Sequence, residues 1–225
     1  MFRFFKKKYE PDPDAPDWWQ EYERETMGLD LKARVDQVKF SVLDVESTGL
    51  DVERDRILSF AMIPVLQEEM IPAGSFECLV QQEYFDEETV PIHELRREDI
   101  KEGIPEKEFL KIIVSLLKGT VIVGHHIGFD IAIINMALKR NFGNLQLRNE
   151  VIDTGHLYQK LYASRFLYPK YQKQVPTLDE LAADFGLEFQ DRHSAMGDTI
   201  MTGLVFLKFV RRLKGSGRLL LKDLM

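Results

Sequence analysis

Apolar positions along the chain fall into two kinds of run. Dense runs of Val, Ile, Leu and Phe between polar turns predict strands, and apolar residues at three- and four-residue steps predict helices. The first dense run starts at Phe40, in F-S-V-L-D-V-E-S-T-G-L at 40–50. A polar turn through Asp51 to Asp55 separates it from a second, Arg56 to Val65. Residues 68–80 predict a third strand, with a break at Gly74. Connections this short suit an antiparallel meander. Residues 81–105 are polar and irregular, with turn or helix signals between Ile92 and Ile100. Then the pattern changes. Glu106 to Lys118 carries Phe109, Ile112, Ile113, Leu116 and Leu117 at helical spacing, and Gly119 ends it. T-V-I-V-G at 120–124 is apolar throughout, as for a strand covered on both faces. A helix over 131–140 follows directly. Asn149 to Ile152 predicts a short strand, followed by a helix through Tyr162. A helix capped by Thr177 and ended by Gly186 comes next, and then a long one running to about Leu213.

The two ends differ from this body. Lys6, Lys7 and Lys8 precede an acidic, proline-rich run at 11–17, which excludes regular helix there. Trp18 and Trp19 lead into a short helix signal at Gln20 to Glu25. The two tryptophans are expected to dock on the chain's own body. The apolar tail Leu219 to Met225 is expected to pack there too. We therefore divide the chain into an extension over 1–37, a domain over 38–214 and a tail over 215–225.

Composition narrows the function classes. The 225 residues carry a formal net charge of −7, which argues against a broad basic surface that coats nucleic acid. It leaves room for a cleft in which bound cations reverse the local sign. The single cysteine, Cys78, excludes an internal disulfide and zinc-finger spacing, and fits a reducing cytosol. No window reaches the apolar length of a membrane span, and M-F-R-F-F-K-K-K at the start lacks the core of a secretory signal.

The chemistry begins at Asp44 and Glu46, two residues apart on a predicted strand and so on one face of it. Two adjacent carboxylates repel, and a divalent cation with oxygen ligands is the simplest remedy. An edge strand with one acid in solvent is the alternative. Asp130 stands beyond the end of the 120–124 strand, where ligand sites form in open α/β sheets, although a plain helix cap is common there. His193 stands five residues before Asp198. On one helix that step turns through roughly 140°. The two converge only if His193 lies on the loop before the helix. Four carboxylates and a mobile histidine match metal-assisted phosphodiester hydrolysis. Arg165, Lys170 and Lys173, interleaved with Phe166, Tyr168 and Tyr171, suit either a strand contact or an ordinary surface loop.

D-V-E-S-T-G at 44–49, H-H-I-G-F-D at 125–130 and H-S-A-M-G-D at 193–198 resemble the three motifs of the DEDDh, or DnaQ-like, 3′→5′ exonucleases. That group includes the proofreading epsilon subunit of bacterial DNA polymerase III and RNase T. The resemblance spans about residues 38–212. It implies a ribonuclease H-like α/β fold: a mixed five-stranded sheet, three strands antiparallel and two parallel, flanked by helices. It implies two divalent ions, Mg²⁺ or Mn²⁺, held by Asp44, Glu46, Asp130 and Asp198, with His193 as general base. Thr48, Gly49 and Leu50 would meet the 3′-terminal nucleotide, and Phe129 would line the cleft. His125 matches the family's usual histidine, and Asp153-Thr154 a family feature with a structural role. His126 stands where the family usually has asparagine. The implied partners are a DNA or RNA 3′ end and a polymerase subunit. An RNA-trimming enzyme and a binding protein without turnover are the alternatives.

Overall fold

The computed structural model describes residues 11–86, 90, 95–163, 175–188, 194–215 and 217–225. Seven strands form one mixed sheet: β1 Phe40–Ser47, β2 Ile57–Leu66, β3 Glu69–Met70, β4 Phe76–Gln81, β5 Ile104–Pro105, β6 Val121–Gly124 and β7 Val151–Asp153. Their spatial order is β5-β4-β2-β1-β6-β7, with β3 paired to β2. β1, β2 and β4 are antiparallel, and β6 and β7 run parallel to β1. This is the expected arrangement of three and two. The count differs because two strands of two residues join it. The stretch at 68–80 divides into β3, a 3₁₀ turn at Pro72–Gly74 and β4. Pro72, which lacks an N–H, ends the ladder there. β5 arises in the segment expected to be irregular, and pairs with the end of β4.

Helices cover both faces. They are α1 Asp17–Thr26, α2 Arg97–Lys101, α3 Glu106–Leu116, α4 Gly128–Phe142, α5 Thr154–Ala163, α6 Leu178–Asp184 and α7 Ala195–Lys214. Phe40 and Val42 of β1 and Val121 and Val123 of β6 pack with Val205, Phe206 and Phe209 of α7 on one face. Leu43 and Val45 pack with Phe109 and Ile113 of α3 and Ile133 and Ile134 of α4 on the other. The two-residue period of β1 thus sends even positions toward α7 and odd ones toward α4. Along α3, Phe109 and Ile113 are buried as expected, while Leu116 stays 37% exposed and Leu110 and Val114 take its place.

The extension packs on the body as the tryptophans predict. Trp19 is 1% exposed, and Trp18 meets Phe142 edge to face with ring centroids 5.0 Å apart. The Tyr22 hydroxyl donates to Asn149 and accepts the Arg148 N–H at 2.7 Å. Burial also pushes the Tyr22 phenol well above its ordinary pKa, so it stays a donor. Asn149 in turn donates to the Leu117 and Thr120 carbonyls. These bonds tie α1 to the segments that lead into β6 and β7. Leu219, Leu221 and Leu224 of the tail are buried against α7 and its neighbours.

Candidate active site

The site forms where β1 outruns β6. The parallel pairing of these strands covers only Phe40–Val42 against Val121–Val123. The rest of β1 carries Asp44 and Glu46 past the end of its neighbour. Both lie on the face covered by α7, whose first turn bears Asp198. The helix begins at Ala195, capped by Ser194, whose Oγ accepts the Gly197 N–H at 3.0 Å. Asp44, Glu46 and Asp198 offer carboxylate oxygens that all lie within 4.8 Å of one another.

Asp130 reaches the same place from the other face. It is the third residue of α4 and only 6% exposed. The Val45 N–H, beyond the last β6 pairing, turns to its carboxyl instead. Burial raises the Asp130 pKa well above the usual carboxylate range, the Asp44 charge raises it further, and Glu46 adds to both. The N–H groups of Asp130 and Val45 oppose the shift. Desolvation disfavours the charged form, and like charge close by does the same.

That shift has a consequence for the metal-free protein. An aspartate in the unfolded chain titrates near pH ~3.9, so above that pH only the folded state keeps the proton. The folded state binds more protons, and stability must fall as pH rises through the raised value. Asp130→Asn keeps an acceptor for Val45 and carries no charge. In EDTA, the urea midpoint of the wild type should decline from about pH 4 upward relative to that of Asp130→Asn. Parallel curves would mean that Asp130 titrates normally.

A cleft of about 410 Å³ opens over these acids, lined by Asp44, Glu46, Leu50, His126, Phe129 and Asp130 among others. Gly49 and His125 line it as well. Leu50 is 86% exposed at the rim, an unusual place for a leucine. Thr48 is placed differently from the expectation. It is 1% exposed, its hydroxyl donates to Asp55 at 2.8 Å and accepts the Arg56 N–H at 3.0 Å, and its own N–H binds the Arg56 carbonyl. The β1–β2 register shifts just before it, where β2 carries the extra residue Leu58 opposite Glu46 and Ser47. Thr48 therefore shapes the loop, and Gly49 and Leu50 face the cleft.

Asp55 is the residue that sequence reasoning missed. Besides Thr48 it accepts the Asp51 N–H at 2.7 Å, closing the loop between β1 and β2. A side chain at Gly49 would meet the Asp55 carboxylate at 2.6 Å, so only glycine lets the loop fold so tightly. The D-V-E-R-D run was legible as a turn, but not the inward direction of its last acid. On the opposite wall, Asp153 accepts the Ile127 N–H at 3.1 Å, and Thr154 Oγ1 lies 2.9 Å from His125 Nδ1. Asp153-Thr154 thus holds the loop that delivers His125, His126 and Asp130. His126 has a left-handed backbone, φ 53°. Asparagine, aspartate and histidine are the side chains best tolerated there, so histidine can replace asparagine at this position without changing the loop. His193 and the basic, aromatic segment 164–174 lie outside the described residues.

The family model described as Exonuclease matches residues 41–206, most of the chain and all of the site just described. The chain belongs to the exonuclease family. Within it, the DnaQ-like resemblance holds up against individual relatives. The DNA polymerase III epsilon subunit of Aquifex aeolicus is 30% identical over 175 residues, covering 77% of this chain and 81% of that subunit. The PolC-type DNA polymerase III of Pediococcus pentosaceus is 28% identical over 174 residues. That match takes in 77% of this chain but only 11% of the polymerase, so the chain spans a small part of such relatives. Among solved structures, an exonuclease I shares the fold at a TM-score of 0.66 and 23% identity, over 78% of this chain and 41% of its own. Escherichia coli exonuclease I in complex with a dA16 oligonucleotide gives 0.64 and 23% over the same share of this chain. Among the described residues, no helix of this exonuclease-family chain is long and apolar enough to cross a membrane.

Proposed function

We propose that this exonuclease-family protein removes nucleotides from DNA 3′ ends by metal-dependent hydrolysis, releasing nucleoside 5′-monophosphates. The observation that carries the reading is the convergence of Asp44, Glu46 and Asp198, with the buried Asp130 beside them. Carboxylate oxygens are the donors that Mg²⁺ and Mn²⁺ prefer. The cost of crowding these acids, visible in the displaced pKa of Asp130, is what a divalent cation would relieve. Asp44 and Glu46 with Asp198 would hold one ion, and Asp44 with Asp130 a second. Bound there, the ions would polarise the scissile phosphate and make the attacking water more acidic.

The chain's own groups supply the rest. His193, one residue before the Ser194 cap, would take the proton from the attacking water. Gly49, with no side chain, lets the terminal sugar approach the backbone. Leu50, exposed at the rim, offers an apolar face to the last base, and Phe129 closes the wall behind it. Thr48 and Asp55 keep Gly49 and Leu50 in register with Asp44.

The preference for DNA rests on the polymerase relatives and on the exonuclease I bound to dA16. The polymerase relatives also support a polymerase subunit as partner. The test is degradation of 5′-labelled single-stranded DNA and matched RNA with Mg²⁺, Mn²⁺ or EDTA. A ladder that shortens from the 3′ end of DNA, faster than RNA and absent in EDTA, is expected. Binding without cleavage in either metal would overturn the reading in favour of a non-catalytic holder of strand ends.

A further inference from the structure

The cleft carries one group that the proposed catalysis does not use. His126 is exposed at the rim, on the lining shared with Leu50, Phe129 and Asp130. Its ring meets that of His125 edge to face, centroids 4.3 Å apart. His125 is itself held against Thr154. The His126 ring therefore rests on a fixed support instead of swinging in solvent.

The charge balance of this lining is one-sided. Its described residues include Asp44, Glu46 and Asp130 but no lysine or arginine. The Ser47 hydroxyl is turned to the Gly49 carbonyl at 2.7 Å, and the Thr48 hydroxyl to Asp55. Among the described lining residues, His126 is the exposed side chain with a hydrogen to donate. An imidazole donates from one ring nitrogen even when neutral, so the role needs no change of charge. A nucleic-acid strand carries a negative charge at every phosphate. Cations could neutralise a phosphate held over the acids, but a strand seated that way would bring its next phosphate toward the rim, still near carboxylates that repel it.

We propose that His126 donates a hydrogen bond to the phosphate one step 5′ of the scissile one and so positions the strand. The inference rests on the exonuclease reading above and names a contact that reading lacks. His126 is a binding and positioning residue here, with no part in proton transfer.

His126→Gly deletes the side chain without strain, because glycine adopts φ 53° freely. His126→Asn keeps a donor that the same backbone tolerates. Steady-state kinetics would be run on two single-stranded DNA oligonucleotides, one natural and one with a neutral methylphosphonate at the linkage in question. On the natural strand His126→Gly should raise KM about ten- to hundredfold, the size of a charge-assisted hydrogen bond. The loss should fall on KM, not on kcat. His126→Asn should recover part of it. On the neutral linkage, wild type and His126→Gly should have the same KM. A wild-type KM for His126→Gly on natural DNA would overturn the inference, as would a loss confined to kcat or a penalty that persists undiminished on the neutral linkage. A wild type that cleaves neither strand would overturn the exonuclease reading instead.

Discussion

Asp44→Ala is expected to cut metal-dependent turnover by orders of magnitude and to leave the metal-free fold as stable as before, or more so. Asp44 is the acid common to every grouping at the site: it stands with Glu46 and Asp198, and its charge reaches Asp130. Its loss breaks both proposed ion sites at once. Metal assistance amounts to several kcal/mol of transition-state stabilisation, so a fall of about 10³-fold or more in kcat is expected. Stability moves the other way. Asp44 is half-buried on β1 among other acids, and its charge helps to hold the proton on Asp130. Removing it relieves that repulsion, and no hydrophobic contact of the core is lost. Single-turnover rates in Mg²⁺ and urea midpoints in EDTA would check the two halves separately. Wild-type turnover would sink the metal reading. A lower midpoint in EDTA would show that Asp44 holds the strand end together by contacts that outweigh repulsion.

His193→Ala should be slower by about 10²–10⁴-fold, the usual contribution of a positioned general base. The prediction turns on the start of α7. Asp198 lies in the first turn of a helix that begins at Ala195. The pH profile separates a base from a structural residue. In the wild type the rate should climb as the imidazole loses its proton, and that limb should vanish in the variant. Metal binding, read by Mn²⁺ titration, should change little. A variant with a wild-type rate across the pH range would remove His193 from the mechanism. One that kept the rising limb at a lower rate would give the base to another group.

The acids were legible in the sequence because their signals are local. Asp44 and Glu46 share a strand face by the two-residue period, and Asp130 and Asp198 sit at helix starts that glycines and caps announce. The strands of the meander and the helices after Glu106 follow from the same periodicities. Pro72 shows where local reading stopped short: a proline in an apolar stretch ended one strand and began a 3₁₀ turn, and divided one expected strand into two.

Thr48 and Asp55 show a deeper gap. Both lie in a polar loop, and a threonine beside a candidate nucleotide site reads as a ligand for it. Its hydroxyl is held inward by Asp55 and the Arg56 N–H, just past a register shift where β2 carries the extra residue Leu58, and no pattern of residue types encodes that shift. The same holds for His126, whose left-handed backbone sets its place at the rim.

From the sequence alone came the set of chemical groups, their order and the elements that bear them, since strand and helix periods depend on neighbours a few residues away. The meeting of those elements was decided by the tertiary structure. β6 stops at a point that leaves the Val45 N–H free for Asp130, and α7 crosses the sheet so that its first turn lands on Asp44 and Glu46. Burial and like charge then raise the Asp130 pKa. Both depend on distances between residues far apart in the chain, and those distances exist only once the sheet and its covering helices have packed.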